Sequence, residues 1–150
     1  MKLNFIEKIL GSTLFSGYIP FASGTFSSAV AFAFYWIPGF EQPKFLLPMI
    51  VVFAAVGIVI GTKFEKAYGK DPSQCTIDET VGTWISLLFL PKQIVITGVA
   101  FLLWRLLDIV KPYPARQLER LNGGVGIMAD DVVSALYTSL IMNLVVIYFY

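Results

Sequence analysis

Five of the acidic residues stand in places where solubility does not need them. Asp78 and Glu79 open the stretch "DETVGTWISLL", and Asp108 lies in "WRLLDIVKP". Asp130 and Asp131 sit in "GIMADDVVSAL", directly before a 19-residue run, Val132 to Tyr150, that carries no charge. Oxygen donors of this kind suit a hard divalent cation such as Mg²⁺. At helical spacing Asp131, Ala135, Ser139 and Asn143 stack on one face, with Asp130, Ser134 and Thr138 beside them. Small and weakly polar faces mark helix contacts in lipid, so both aspartates are expected to point into a bundle. Glu79 stands above Gly82, Thr83 and Ser86 in the same way. Asp108 is expected near a helix C-terminus, where the dipole disfavours an anion, so it needs Arg105, Lys111 or a metal beside it. Two blander readings compete: first-turn capping by the acid pairs, and an ion-pair network with Arg105, Lys111 and Arg116.

Anion-binding parts lie nearby in the sequence. "ASGTFSS" offers Gly24 and Thr25 where a helix begins, a place suited to phosphate. "LNGGVGI" offers flexible backbone at Gly123, Gly124 and Gly126. Lys111 brings positive charge, and Arg116 can hold phosphate oxygens bidentately. Histidine is absent, which excludes His-based phosphatases, Ser-His hydrolases and ordinary zinc sites. The single cysteine, Cys75, belongs to no phosphate loop of the Cys-x₅-Arg kind, and no Walker loop is present. Any enzyme here works with carboxylates, a metal and a few cations.

The elements that must position these groups read as membrane helices. Hydrophobic residues make up 57% of the 150 and charged residues only 14%, with a mean hydropathy of +0.74. Residues 45–62 and 132–150 are uncharged runs long enough to cross a bilayer core of roughly 30 Å. Further apolar segments cover 25–37, 79–90 and 94–107, separated by Pro-rich breaks such as "IPGFEQP" and "DIVKPYPAR". The expectation is a single-domain, all-α, compact helical bundle of about five to six helices, integral to the membrane, with a polar site at its cytoplasmic face. Helices are required because lipid offers backbone groups no partner. The start, "MKLNFIEKILG", reads as an amphipathic lead-in and not a cleaved signal peptide. In an alternating arrangement only Lys44 and Lys92 fall on the far side from the other nine Lys and Arg residues. The positive-inside bias then puts the N-terminus and the 62–80 and 104–131 regions in the cytoplasm. A net charge of +1 gives no reason to expect nucleic acid.

Four motifs in order carry a resemblance to the bacterial phosphatidylglycerophosphatase A enzymes. They are "SGYIPFASGTFSS", "DETVGTWI", "LLDIVKPYPAR" and "NGGVGIMADDVVSA", spread over residues 12 to 136. The chain departs from the family at Ser23, which replaces a proline, at Ser27-Ser28-Ala29, and at Ser134-Ala135. The resemblance implies a Mg²⁺-dependent phosphatase of the bacterial cytoplasmic membrane, multi-pass, converting phosphatidylglycerophosphate to phosphatidylglycerol and inorganic phosphate. It also implies a helical bundle with one helix surrounded by the others. On that reading Glu79, Asp108, Asp130 and Asp131 hold the metal, and Asp78, Lys111 and Asp130 act in catalysis, with Asp78 orienting a water. Gly24, Thr25, Lys111, Arg116 and Gly124 hold the phosphate. Water and an aspartyl carboxylate both remain open as nucleophile. The expected partner is a phospholipid in the membrane; no obligate protein partner is evident, and a homodimer is compatible with the sequence. The alternatives are a CDP-alcohol phosphotransferase-like lipid enzyme, a small membrane cation transporter, and a scaffold whose acids only cap and pair.

Overall fold

A computed structural model describes residues 2–150. Among them are seven α-helices and no strand: α1 (Phe5–Gly11), α2 (Ser23–Tyr35), α3 (Pro43–Tyr68), α4 (Ile77–Leu87), α5 (Ile94–Val110), α6 (Ala115–Leu118) and α7 (Gly123–Phe149). A 3-10 turn covers Ser16–Tyr18. The count exceeds the expected five to six. The extra elements, α1 and α6, are one or two turns long and lie in charged stretches with no long apolar run, α6 directly after Pro112 and Pro114. α1 is nucleated by a capping box, in which Asn4 and Glu7 satisfy each other's backbone N–H groups.

The long helices begin and end on local signals. Pro43 occupies the first turn of α3, where its missing N–H costs nothing. Gly69, at φ 102, ends that helix. Lys111 in the left-handed region, followed by Pro112, ends α5. α7 starts at Gly123, a full two turns before the aspartates, so Asp130 and Asp131 lie inside the helix and not at its cap.

α4 is the axis of the bundle. α2, α3, α5 and α7 all pack on it, and every α4 residue is buried except the half-buried Glu79. Gly82 lets the Trp104 ring lie directly on α4, since a Cβ there would come within 2.3 Å of the indole. The indole N–H groups find partners: Trp84 donates to the Ala31 carbonyl at 3.0 Å, and Trp104 to the Thr83 hydroxyl at 3.2 Å. α7 crosses α3 closely at Gly124, whose Cβ position lies 1.9 Å from the Ile58 carbonyl oxygen.

Hydroxyl side chains lie inside the bundle beside its apolar core, and large apolar side chains cover much of its outside. Thr83, Ser86, Thr97, Ser134 and Thr138 are buried. Thr83, Ser86, Thr97 and Thr138 return their hydroxyl protons to the carbonyl four residues earlier. Val51, Val52 and Val59 of α3, Val95, Leu102 and Leu106 of α5, and Leu136, Leu140 and Ile147 of α7 are exposed. An apolar exterior of this extent is a surface suited to a lipid or protein neighbour. α3 and α7 are each long and apolar enough to cross a bilayer. α4 and α5 are shorter, about 17 and 26 Å at 1.5 Å per residue.

Charge collects at the two ends of the bundle. At one end Lys63 pairs with Glu7, and Lys70 reaches Glu65 and the Leu121 carbonyl. At the other, Lys92 binds Glu41 at 2.9 Å and the Trp36 carbonyl at 3.2 Å.

Candidate active site

Four helices and two loops meet at the first of these ends around a cleft of about 410 Å³. α4 contributes Asp78 and Glu79 from its first turn, α5 contributes Arg105 and Asp108 from its last, and α7 contributes Asp130 and Asp131. The loop after α5 adds Lys111, the loop after α3 adds Asp71, and the start of α2 adds Ser23 and Gly24. Six carboxylates therefore face only two cations, Arg105 and Lys111.

The acids divide into two groups. One group is ion-paired. Arg105 Nη1 lies 2.6 Å from Asp108 Oδ2, while Lys111 Nζ lies 2.5 Å from Asp130 Oδ2 and 3.5 Å from Asp108 Oδ1. This supplies the compensation that Asp108 needs at a helix C-terminus. The other group is crowded: Asp78, Glu79 and Asp131 each bring a carboxylate oxygen within 4.8 Å of the others. Lys111 reaches Asp131 only at 3.8 Å. Buried oxygens on Asp78, Glu79, Asp130 and Asp131 have no hydrogen-bond partner.

Negative charge so confined is unstable unless protons or a cation neutralise it. Buried, unpartnered oxygens from α4 and α7, with no nitrogen or sulfur donor among them, fit a hard divalent cation. Lys111 shows the field from the opposite side. Burial acts to lower its pKa, but Asp131, Asp130 and Asp108 outweigh it and push the pKa well above the usual lysine value. Cys75, on the cleft wall, has its thiol pKa pushed up by burial first and then by the charge of Glu79, so it stays protonated and unreactive.

Not every residue expected at the site lies in it. Asp78, Glu79, Asp108, Lys111, Asp130, Asp131 and Gly24 line the cleft together. Asp78 falls inside the crowded carboxylate group rather than apart from it. Asp108 and Asp130, expected with the metal, are engaged by Arg105 and Lys111. Thr25, Arg116 and Gly124 do not line the cleft. Thr25 is exposed on α2. Arg116 turns outward and donates to the Val110 carbonyl at 3.1 Å. Gly124 is consumed by the α3–α7 crossing, where any side chain would strike backbone. Asp71 belongs to the site without any motif signal, and Ser23 belongs to it from within the first motif, where it departs from the family pattern. For Asp71 the one hint is position, since "GKDPSQ" ends four residues before Asp78.

Gly24 touches the carboxylates by lacking a side chain. A Cβ there would sit 2.5 Å from Glu79 Oε1 and 3.2 Å from Arg105 Nη2. Both are ends of flexible side chains, so Gly24→Ala is expected to displace Glu79 without unfolding the bundle. Activity should fall roughly 10- to 100-fold at an unchanged melting temperature. Equal activity in the variant would show that Glu79 is free to move without consequence.

Comparison with known proteins bears on the family of the chain. The family model for phosphatidylglycerophosphatase A matches residues 9–146. A Bacteroides thetaiotaomicron protein named "Putative phosphatidylinositol-3-phosphatase" is 37% identical, covering 93% of this chain and 92% of its own. The phosphatidylglycerophosphatase A of Escherichia coli K12 is 32% identical, covering 83% of this chain and 74% of its own. That of Haemophilus influenzae is 42% identical over 69 residues, 43% of this chain. No solved structure matches. The match runs through the whole bundle and through all three carboxylate-bearing helices, and on that basis the chain belongs to the phosphatidylglycerophosphatase A family, a family of phosphoric monoester hydrolases.

Proposed function

We propose that this protein removes the terminal phosphate of phosphatidylglycerophosphate in a magnesium-dependent hydrolysis, releasing phosphatidylglycerol and inorganic phosphate. The observation that carries the proposal is the crowded trio Asp78, Glu79 and Asp131, with unpartnered buried oxygens, at one end of a bundle whose exterior is apolar. Such a protein keeps the acyl chains of its substrate in lipid while the phosphomonoester reaches the headgroup level. The charged end, with the α1 and 111–122 regions, faces the cytoplasm of a bacterial membrane crossed several times. The excess of lysine and arginine at that end supports this orientation.

Asp78, Glu79 and Asp131 would hold the magnesium ion. Bound there, it supplies positive charge against the phosphate oxygens and makes a nearby water more acidic. The chain's own groups supply the rest. Lys111, gripped by Asp108 and Asp130, presents a fixed ammonium to the phosphoryl oxygens. Arg105, anchored on Asp108, still has a buried Nε–H without a partner and adds a second donor. Phosphoryl transfer depends chiefly on such placement of charge. The α2 start, with Gly24 against Glu79, closes the cleft on the side where a bulkier residue would push the carboxylate aside.

A second reading concerns the substrate. The Bacteroides relative is named for an inositol lipid, also a phosphomonoester, and it matches nearly the full chain. One assay separates the readings: phosphate release by purified protein from vesicles of phosphatidylglycerophosphate or of phosphatidylinositol 3-phosphate, with and without EDTA. The expected result is release from phosphatidylglycerophosphate, abolished by EDTA and restored by magnesium. Preference for the inositol lipid would transfer the substrate assignment. Undiminished release in EDTA would remove the metal from the account.

A further inference from the structure

The cleft has a floor and a rim, and only the floor has a role so far. Asp78, Asp130 and Asp131 are almost wholly buried, whereas Ala22, Asp71 and Ser73 are open to solvent at the mouth. Three residues lining this cleft, Ala22 (φ 48), Asp71 (φ 45) and Lys111 (φ 52), adopt the left-handed backbone region without being glycine. Non-glycine residues held in that region cost energy and persist where the surroundings fix them, often at functional sites. Asp71 is fixed from both sides. Ser23 donates from α2 to the Ser73 carbonyl at 3.0 Å, and Lys70 donates to the Leu121 carbonyl ahead of α7. The loop is thereby strapped across the mouth with Asp71 between its two fastenings.

We propose that Asp71 is the general acid of the reaction, the group that protonates the oxygen leaving phosphorus. The inference rests on the phosphomonoesterase reading above. The phosphoryl group is drawn to the cation-binding floor, so the remainder of the substrate extends outward through the mouth. The bridging oxygen must then lie on the rim side of phosphorus. In-line displacement places the attacking water on the opposite side, toward the floor. As the P–O bond to the bridging oxygen breaks, that oxygen takes the Asp71 proton and departs as an alcohol. Water oxygen forms the new P–O bond, one of its protons stays on the phosphate, and the other returns through solvent to Asp71. Lys111 is a poor candidate for this task, because Asp130 and Asp108 hold its ammonium.

The surroundings push Asp71 toward its protonated form. Partial burial of its carboxyl at the cleft wall raises its pKa above the ordinary aspartate value, and Lys111 pulls in the opposite direction. Glu119, beyond α6, and Asp108 raise it further, while Lys70 on the same loop lowers it.

The test uses two esters of the same headgroup. One is phosphatidylglycerophosphate, and the other is its analogue with sulfur in place of the bridging oxygen of the terminal phosphate. A thiolate leaves without needing a proton. Asp71→Asn is expected to lower turnover of the oxygen ester by about 10²-fold or more and that of the sulfur ester by less than about threefold. Asp71→Glu, which keeps the acid but shifts it by one methylene, should lose less than Asp71→Asn on the oxygen ester. It also serves if the asparagine variant folds poorly. Equal losses on both esters, or full activity of Asp71→Asn on the oxygen ester, would overturn the assignment. If the unaltered protein releases phosphate from neither ester, the phosphatase reading itself fails, and that outcome is visible before any variant is made.

Discussion

Asp131→Asn is expected to abolish phosphate release while leaving the metal-free protein as stable as before, or more stable. The two effects have one cause. Asp131 is 2% exposed, lies beside Asp78 and Glu79, and has an oxygen with no partner. Without a cation, removing its charge relieves repulsion among buried carboxylates and costs only a 3.8 Å interaction with Lys111. With a cation, the same change removes a ligand charge. Lewis-acid stabilisation of several kcal/mol, at about 1.4 kcal/mol per factor of ten, corresponds to a loss of roughly 10³-fold in turnover. A capping or scaffolding role predicts the reverse pattern, with lower stability and little change in catalysis. Melting curves in EDTA and in magnesium, together with phosphate release, separate the two. Asp130→Asn is the control of the opposite kind. It breaks the 2.5 Å contact with Lys111, so stability should fall along with activity.

The second large effect belongs to Lys111. Its ammonium serves Asp108, Asp130 and Asp131 at once, and these acids are otherwise nearly sealed from water. Lys111→Met keeps most of the aliphatic stem and the same backbone demand at φ 52, but strands Asp130 and strips Asp131 of its nearest cation, while Asp108 keeps Arg105. Breaking a buried pair from one side costs about 3–5 kcal/mol. The variant should therefore melt well below the parent in EDTA. Magnesium should restore more stability to it than to the parent, because the cation replaces the missing positive charge. An EDTA-treated variant as stable as the parent would mean that the acids are neutralised some other way, by protons held among themselves.

The sequence made some of this legible and hid the rest for identifiable reasons. α3 and α7 were visible because lipid-length uncharged runs leave few alternatives, although α7 begins at Gly123 and not at the aspartates. The inward aim of Asp130 and Asp131 followed from the small residues Ser134, Ala135 and Thr138 on the same face, and those residues are buried. Asp108 was recognisably misplaced for a helix dipole, and its partners Arg105 and Lys111 are within three residues, close enough to be read from spacing. α6 was not legible, since a four-residue helix leaves no periodic signature, and α1 was legible only as an amphipathic lead-in. Arg116 and Gly124 illustrate a different limit. Residue type shows what a side chain or a glycine can do, but not whether a helix crossing or an outward rotamer has already claimed it. Asp71 was hidden for a third reason. Its role depends on a loop strapped by Ser23 and Lys70, contacts spanning about fifty residues that no local pattern announces.

The central claim is that carboxylates from α4 and α7 share a divalent cation at the place where phosphate is released. Binding of Mn²⁺, as a paramagnetic stand-in for magnesium, measured by electron paramagnetic resonance on the purified protein tests it most directly. The expected result is bound Mn²⁺ that magnesium displaces, and its loss in Asp78→Asn and Asp131→Asn in parallel with their loss of phosphate release. Mn²⁺ binding that survives intact in both variants, or its absence in an unaltered protein that still releases phosphate, would contradict it.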